Sequence, residues 1–225
     1  LPDILIAAKL AYRRVSRIDS VGRCEGRSGE ASPGSTGKSR RPALRSRMTR
    51  KKRTAARPPA APAADPARTV GVLGLGIIGS RVAEACRRAG LPVVAWNRTR
   101  RQGQATLATP ADVARAARVL QVFVTDDAAL ASVVEAVAPA LGGEHVVLNC
   151  STVSLPATRA AESAVRATGA AFLDAPFTGS RNAAEAGELV YYIGGAKRVL
   201  DRVRWALEPS AKAVVPLGKV GDATR

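Results

Sequence analysis

Gly74, Gly76 and Gly79 stand in the spacing G-x-G-x-x-G within Thr69-Val70-Gly71-Val72-Leu73-Gly74-Leu75-Gly76-Ile77-Ile78-Gly79. Between a buried strand and a helix, glycines at this spacing can cradle a phosphate. The first permits a tight turn, the second lets the backbone approach a pyrophosphate, and the third lets helix and strand pack closely. The free N–H groups and the dipole of the helix start then hold the anion. Glycine turns are common, so the spacing alone says little, but the flanks fit: an apolar run precedes it and a helical pattern follows. About 20 residues on, where an acidic residue would bond the ribose 2′-hydroxyl of NAD, this chain has Asn97-Arg98-Thr99. No carboxylate is there to repel a phosphate, and an arginine can pair with one bidentately. The pattern predicts NADP(H) rather than NAD(H); the alternative is an ordinary surface loop that carries an arginine.

The elements that must position these groups follow from periodicity. Val82, Ala85, Cys86 and Ala89 recur at helical spacing over Ser80–Ala89, Gly90 supplies a stop, and Leu91–Trp96 is a second buried strand. A short helix at Ala111–Arg118 leads into a strand at Val119–Val124. Asp126-Asp127 opens a helix with Leu130, Val133, Val134 and Val137 on one side, ended by Pro139 and Gly142. Val146–Asn149 is a strand, Ser154 caps a helix from Leu155 to about Thr168, and Ala171–Asp174 is a strand. Leu189–Ile193 and Ala213–Leu217 are the last strands, with a helix at Lys197–Leu207 between them. Such alternation predicts an α/β fold, a doubly wound and mainly parallel Rossmann sheet with helices on both faces. Ligands on such sheets bind beyond the carboxyl ends of the strands.

Polar clusters fall at those ends: Thr125-Asp126, Asn149-Cys150-Ser151-Thr152, and Asp174-Ala175-Pro176-Phe177-Thr178-Gly179-Ser180. Hydroxyls and turn amides gathered there suit a small carboxylate or carbonyl compound beside a nicotinamide ring. Taken singly, each cluster is better read as capping and turn residues.

Charge divides the chain. Residues 1–68 carry 17 of the 35 Lys and Arg and 5 of the 18 Asp and Glu, most of the net +17. From Ser16 to Arg68 the composition is rich in Arg, Ser, Gly and Pro without apolar period, which predicts a disordered basic segment ahead of a domain at 69–225. Leu1 is not a methionine; Met48, the only one in the chain, is read as the initiator, with residues 1–47 as upstream read-through. An Arg- and Ser-rich transit peptide is the competing reading, and Asp3, Asp19, Glu25 and Glu30 count against it. Gly34-Ser35-Thr36-Gly37-Lys38-Ser39 imitates a P-loop ending, but Ser32 stands where the motif needs glycine. The basic run Arg50–Arg53 lacks interleaved aromatics and is read as a solvated tail rather than a nucleic-acid site. The Ile4–Val15 stretch is too short to span a membrane. Cys24, Cys86 and Cys150 show neither a disulfide framework nor a zinc spacing, which suits free thiols in a reducing cytoplasm. His145 is the only histidine, and no metal site is expected.

Together, in this order, the motifs resemble the β-hydroxyacid dehydrogenase family, whose N-terminal domain is the NADP-binding domain of 6-phosphogluconate dehydrogenase type. Gly74–Gly79 is similar to its glycine signature and Trp96-Asn97-Arg98-Thr99 to its NADP-type second-strand end. Ser151-Thr152 matches the end of its D-x-S-T element, and Asp174–Ser180 resembles D-A-P-V-S-G-[GS]. Ala184-Glu185-Ala186-Gly187-Glu188-Leu189 is similar to the glyoxylate and succinic semialdehyde reductase branch.

The resemblance implies that Gly74, Leu75, Gly76, Ile77, Ile78, Gly79, Asn97, Arg98, Thr99, Thr125 and Asp126 hold NADP(H). It implies that Ser151, Thr152, Thr178, Gly179 and Ser180 orient a small carboxylate substrate, and that hydride passes between the nicotinamide and the substrate carbon. Asn149, Phe177 and Thr178 depart from the family's Asp, Val and Ser, and the last two narrow the pocket. The family's catalytic lysine follows a V-G-containing loop that resembles Val220-Gly221-Asp222-Ala223-Thr224. Counting seven from Val220 places it two positions past Arg225, so no catalytic residue is assigned in this chain. The all-helical second domain, through which the family dimerises, is expected to be absent. The expected protein is thus an NADP-dependent oxidoreductase, incomplete as given and inactive as truncated, homodimeric in full length and cytoplasmic, with no membrane or nucleic-acid partner. The alternatives are a non-catalytic NADP-binding module and, more weakly, a nuclear relative that uses the basic tail around Lys51.

Overall fold

The computed structural model describes residues 65–99 and 105–225. The predicted basic segment lies outside the described residues up to position 64, as do Met48, the P-loop imitation and Cys24. Asp65–Arg68, assigned from composition to that segment, instead form a 3-10 turn: Asp65 accepts from the Ala67 amide at 2.9 Å and the Arg68 guanidinium lies over the Trp205 ring at 4.6 Å. A cation over an aromatic face is attractive, which ties this turn to the domain.

The first unit is β1 (Val70–Leu73), α1 (Ile77–Arg88) and β2 (Val93–Trp96), with β1 and β2 parallel. All of β1 is buried, as expected of a central strand covered on both faces. Val82, Ala83, Ala85 and Cys86 are the buried side of α1. Next come α2 (Pro110–Ala116), β3 (Val119–Val122), α3 (Asp127–Val137), β4 (Val146–Asn149), α4 (Leu155–Ala167) and β5 (Ala171–Asp174). Each helix start has a physical cause. Thr109 and Asp112 form a capping box on α2, the Asp126 side chain accepts from Ala129 N at α3, and Ser154 accepts from Ala157 N at α4.

Beyond β5 the chain departs from the predicted alternation. Phe177–Thr178 is a short strand, β6, and Ser180 caps α5 (Arg181–Ala186), which Gly187 ends. Neither element is foreseen from sequence. β7 (Leu189–Gly194) then runs antiparallel to β5 and β6, while β8 (Ala211–Gly218) is parallel to β7. The connection from Thr178 to Leu189, built around six-residue α5, is shorter than the dozen or more residues of a parallel crossover, so β6 and β7 pair antiparallel, and β7 then meets the end of β5 antiparallel at Asp174 and Gly194. Between β7 and β8, α6 (Lys197–Val203) and two 3-10 turns supply the longer connection. The helix predicted for 197–207 therefore ends at Val203, and the strand predicted to reach Val124 ends at Val122.

The sheet order is β2-β1-β3-β4-β5-β7-β6, with β8 beside β7. One core lies under α1, α5 and α6, around Val72, Val82, Leu148, Tyr191 and Leu200; the other lies under α2, α3 and α4, around Leu73, Val113, Leu130 and Val165. The winding reverses between β1 and β3, and the glycine turn sits at that switch point, where α/β sheets bind ligands.

Candidate functional site

The three glycines of the turn answer to different constraints. Gly74 has φ +102°, and a Cβ there would lie 2.0 Å from the Phe123 carbonyl oxygen. A Cβ on Gly79 would lie 2.0 Å from the Gly74 carbonyl oxygen. Both are glycines because the fold leaves no room. Gly76 has φ −70° and nothing within 4 Å of its would-be Cβ. It caps α1, with no side chain bonded to the helix start. The first four amides of a helix have no intrahelical acceptor, so those of Gly76, Ile77, Ile78 and Gly79 are directed outward from the turn as donors. Leu75 is buried, whereas the Ile77 side chain is 71% exposed beside the open amides.

At the end of β2, Asn97 does something the motif did not foretell. Its Oδ1 accepts from Leu75 N at 2.9 Å and its Nδ2 donates to Thr99 O at 2.6 Å. The side chain bolts the glycine turn to the neighbouring loop and is occupied in doing so. Arg98 and Thr99 are exposed on that loop. Thr125 and Asp126 face the same edge, but Asp126 caps α3 and also accepts from the Thr125 hydroxyl at 2.8 Å. The Ala129 amide, the Thr125 hydroxyl and the positive charge of Arg98 hold the Asp126 carboxyl below its ordinary value. Arg98 thus acts across the opening between the two loops.

The residues read as substrate-orienting separate into two groups. Ser151 is buried; its hydroxyl accepts from Val124 N at 2.9 Å and donates to Val122 O at 3.2 Å, which joins the ends of β3 and β4. Asn149 Oδ1 accepts from Ser151 N, while its Nδ2 is buried without a partner among the described residues. Thr152, Thr178, Gly179 and Ser180 are exposed. Thr178 Oγ1 donates to the Tyr192 hydroxyl at 3.2 Å, and Ser180 Oγ accepts from Ala183 N at 3.3 Å as the cap of α5. Gly179 has φ +143°, and a Cβ there would meet Leu189 at 2.6 Å. Between this group and the glycine turn run Phe123 and Phe177, ring centroids 6.0 Å apart, with Phe177 edge-on to buried Tyr191 at 5.9 Å.

Asp174 is the largest omission of the sequence-based site list. Fully buried at the end of β5, its carboxyl accepts from Gly221 N and Thr224 N at 3.1 Å each and from the Thr224 hydroxyl at 2.8 Å. Burial raises its pKa, against the lowering effect of the Thr224 and Gly221 bonds and the Arg159 charge. One carboxylate thereby pins the loop after β8 over the strand ends. The partners are 47 and 50 residues away, and no local signal announces them. Tyr192, partner of Thr178, is missed for the same reason.

Cys86 and Cys150 are buried free thiols. Burial pushes the Cys86 thiol up to about 11 and raises that of Cys150 further, so both are poor nucleophiles at neutral pH. His145 is buried with Nδ1 accepting from Gly142 N at 3.0 Å and Nε2 2.9 Å from Ala114 O, a structural histidine. Among the described residues no group of three His, Cys, Asp or Glu could hold a metal ion, and no helix is long and apolar enough to cross a membrane.

The family model for the NAD binding domain of 6-phosphogluconate dehydrogenase matches residues 69–218. The chain belongs to the β-hydroxyacid dehydrogenase family. It is 28% identical over 165 residues to glyoxylate/succinic semialdehyde reductase 2, chloroplastic, of Arabidopsis thaliana, covering 68% of this chain and 46% of that protein. It is also 28% identical over 160 residues to the cytokine-like nuclear factor N-PAC of Mus musculus, covering 69% and 29%. Among solved structures, Psf3 in complex with NADP+ and 2-OPP superposes with a TM-score of 0.65 at 26% identity, covering 69% of this chain and 59% of that one. The chain spans about half the length of the reductase it matches.

Proposed function

We propose that residues 69–225 form the NADP(H)-binding domain of a β-hydroxyacid dehydrogenase that moves hydride between NADP(H) and a small hydroxy or oxo acid. The observation that carries this reading is Gly76. The fold leaves no room for a side chain at Gly74 and Gly79, whereas the Cβ of Gly76 would project into open space beside uncapped amides, at an N-cap position that Ser, Asp or Asn would fill at least as well. Close approach of a pyrophosphate supplies the reason for glycine there. Arg98, exposed and without a carboxylate at its own strand end, supports a 2′-phosphate and hence NADP(H), and the Psf3 structure at 26% identity holds NADP+.

The cofactor, when bound, supplies or accepts the hydride. The protein's own part is to hold the two phosphate regions, to floor the site with Phe123 and Phe177, and to present hydroxyls. Thr152, Thr178 and Ser180 are the exposed hydroxyls suited to a carboxylate; Ser151 serves by fixing the strand ends beneath them. The reductase at 28% identity supports an oxo acid of the glyoxylate or succinic semialdehyde size. A non-catalytic NADP(H)-binding module is the second reading, favoured by the equal likeness to a protein named as a nuclear factor.

The test is a fluorescence titration of NADPH into the 225-residue chain and its Gly76→Ala variant. Affinity should fall at least about tenfold in the variant, while stability changes by less than about 1 kcal/mol, since φ and space both admit alanine. Unchanged affinity would remove the support for a pyrophosphate at this turn. Oxidation of NADPH on addition of glyoxylate or succinic semialdehyde, assayed on this chain fused to the part of the 28%-identical reductase that lies beyond the match, separates the enzyme from the binding module.

A further inference from the structure

A second concavity lies away from the glycine turn. It is a groove of about 820 Å³ between α4, the first residues of β5 and the segment from Gly195 into α6. Five cationic side chains line it: Arg159 and Arg166 of α4, Arg198 and Arg202 of α6, and Lys219 after β8. They face one carboxylate, Glu162, which already pairs with Arg166 at 3.3 Å and Arg159 at 3.9 Å. Arg198, Arg202 and Lys219 form no ion pair among the described residues. The one acid on α6, Asp201, is taken by Lys197 at 2.6 Å. The floor is backbone and the edge of buried Phe172.

Folding gives no reason for this arrangement. Like charges gathered in a concavity repel one another, and low-dielectric walls focus their field outward into the groove. Excess arginine could be spread over convex surface at no such cost. The elements that converge here, α4 and α6, belong to opposite faces of the sheet, so the cluster is not the solvated side of a single helix. The groove is also distinct from the nucleotide site. β5 lies three strands from β1 in the sheet, roughly 14 Å at the usual strand spacing.

We propose that this groove binds a small polyanion carrying two or more phosphate groups, held by Arg198, Arg202 and Lys219. Its volume is that of a small-molecule site, and no exposed aromatic lines it to stack unpaired bases, which sets it apart from a single-strand nucleic-acid surface. The proposal stands independently of the reading of the glycine turn.

Calorimetric titration of the 225-residue chain with inorganic tripolyphosphate in 50 mM salt provides the test, with ATP as a second ligand. Arg198→Ser with Arg202→Ser should weaken tripolyphosphate binding by about tenfold or more, since charge-assisted phosphate contacts are lost. Arg198→Lys with Arg202→Lys should retain most of it. NADPH affinity should be unchanged, and thermal midpoints should be unchanged or slightly raised as the mutual repulsion of these exposed side chains is relieved. Lys51→Ala with Lys52→Ala controls for the basic N-terminal segment. ATP binding as tight as tripolyphosphate identifies the phosphate chain as the ligand, and tighter ATP binding adds a nucleoside contact; either supports the groove. Equal affinity of wild type and the double serine variant, loss of binding in the Lys51/Lys52 variant alone, or displacement of tripolyphosphate by NADPH would overturn it.

Discussion

The two ends of the row of strand termini are built by different means. At β1 the shape comes from backbone: a glycine with φ +102°, a second whose Cβ would touch a carbonyl oxygen, and uncapped helix amides. At β5 it comes from one buried carboxylate that gathers two amides and a hydroxyl from a loop 47 to 50 residues away. The first end leaves hydrogen-bond donors open to a ligand, whereas the second closes its polar groups on one another. A surface built to receive an anion and a surface built to hold the chain in place can thus sit side by side on one sheet.

The largest effect is expected at the glycine turn. Gly79→Ala places a methyl 2.0 Å from the Gly74 carbonyl oxygen, so either α1 moves or the turn opens. We expect a loss of about 3–5 kcal/mol, in the range of overpacking with backbone strain, seen as a fall of the thermal midpoint by roughly 10 °C or more. Wild-type stability in this variant would show that the turn is looser than its contacts imply. Gly76→Ala, three residues away, should be silent in the same measurement.

At the other end, Asp174→Ala leaves the Gly221 and Thr224 amides and the Thr224 hydroxyl without their acceptor. An unsatisfied buried group costs about 1–3 kcal/mol, and the loop can relax toward solvent, so we expect a loss of about 2–3 kcal/mol. Hydrogen exchange at Gly221 and Thr224 should quicken while that of β1 is unchanged. Equal acceleration in β1 would mean that the two ends are one cooperative unit.

These differences also decide what was legible in the sequence. The glycine turn, α1 and the strands β1 to β5 rest on local rules, namely φ, caps and periodicity, and they fall where the pattern places them. The caps of α3 and α4 at Asp126 and Ser154 are legible for the same reason. The reversal at β7, the strand Phe177–Thr178 and helix α5 depend on how much chain separates neighbours, which periodicity does not encode. Within the candidate site, the glycines and exposed Arg98 were readable as types at positions. The engagement of Asn97 with Leu75, of Ser151 with Val122 and Val124, and of Asp174 with Thr224 is long-range, and residue type alone is silent on whether a polar group is free or already bonded.

Arg98 bears on the same turn from the ligand's side. Arg98→Asp should lower NADPH affinity relative to NADH by tenfold or more, the value of a charge-assisted phosphate contact at about 1.5–3 kcal/mol. Because Arg98 is exposed, the thermal midpoint should barely change. Its charge also contributes to holding Asp126 ionised, so the variant removes that support and adds a second carboxylate nearby. Equal NADPH-to-NADH ratios in wild type and variant would move cofactor discrimination elsewhere.

The smallest effect is in the response to acid, where the two ends should pull in opposite directions. Asp126 is held below its ordinary value by the Ala129 amide and Thr125 hydroxyl, and Asp127 by the Ser154 hydroxyl and amide. Their contribution to stability is complete above the ordinary carboxylate pKa and is lost as pH falls through the lower folded values. Asp174 is raised by burial. Folding then favours its protonated form, and between the ordinary carboxylate pKa and its folded value stability declines as pH rises. Acidification from pH 7 to pH 4 should therefore cost Asp174→Asn more than wild type, and further acidification below pH 4 should cost Asp127→Asn less than wild type. Arg159 and Cys150 are the charged and titratable neighbours of Asp174; the first stays cationic and the second stays neutral over this range, so neither reverses the sign. Thermal midpoints of the three proteins at about pH 7, 5.5, 4 and 2.5 supply the measurement. An Asp174→Asn variant that loses less than wild type on acidification would show that the Gly221 and Thr224 bonds outweigh burial, and that this carboxylate, like the exposed caps, is held ionised.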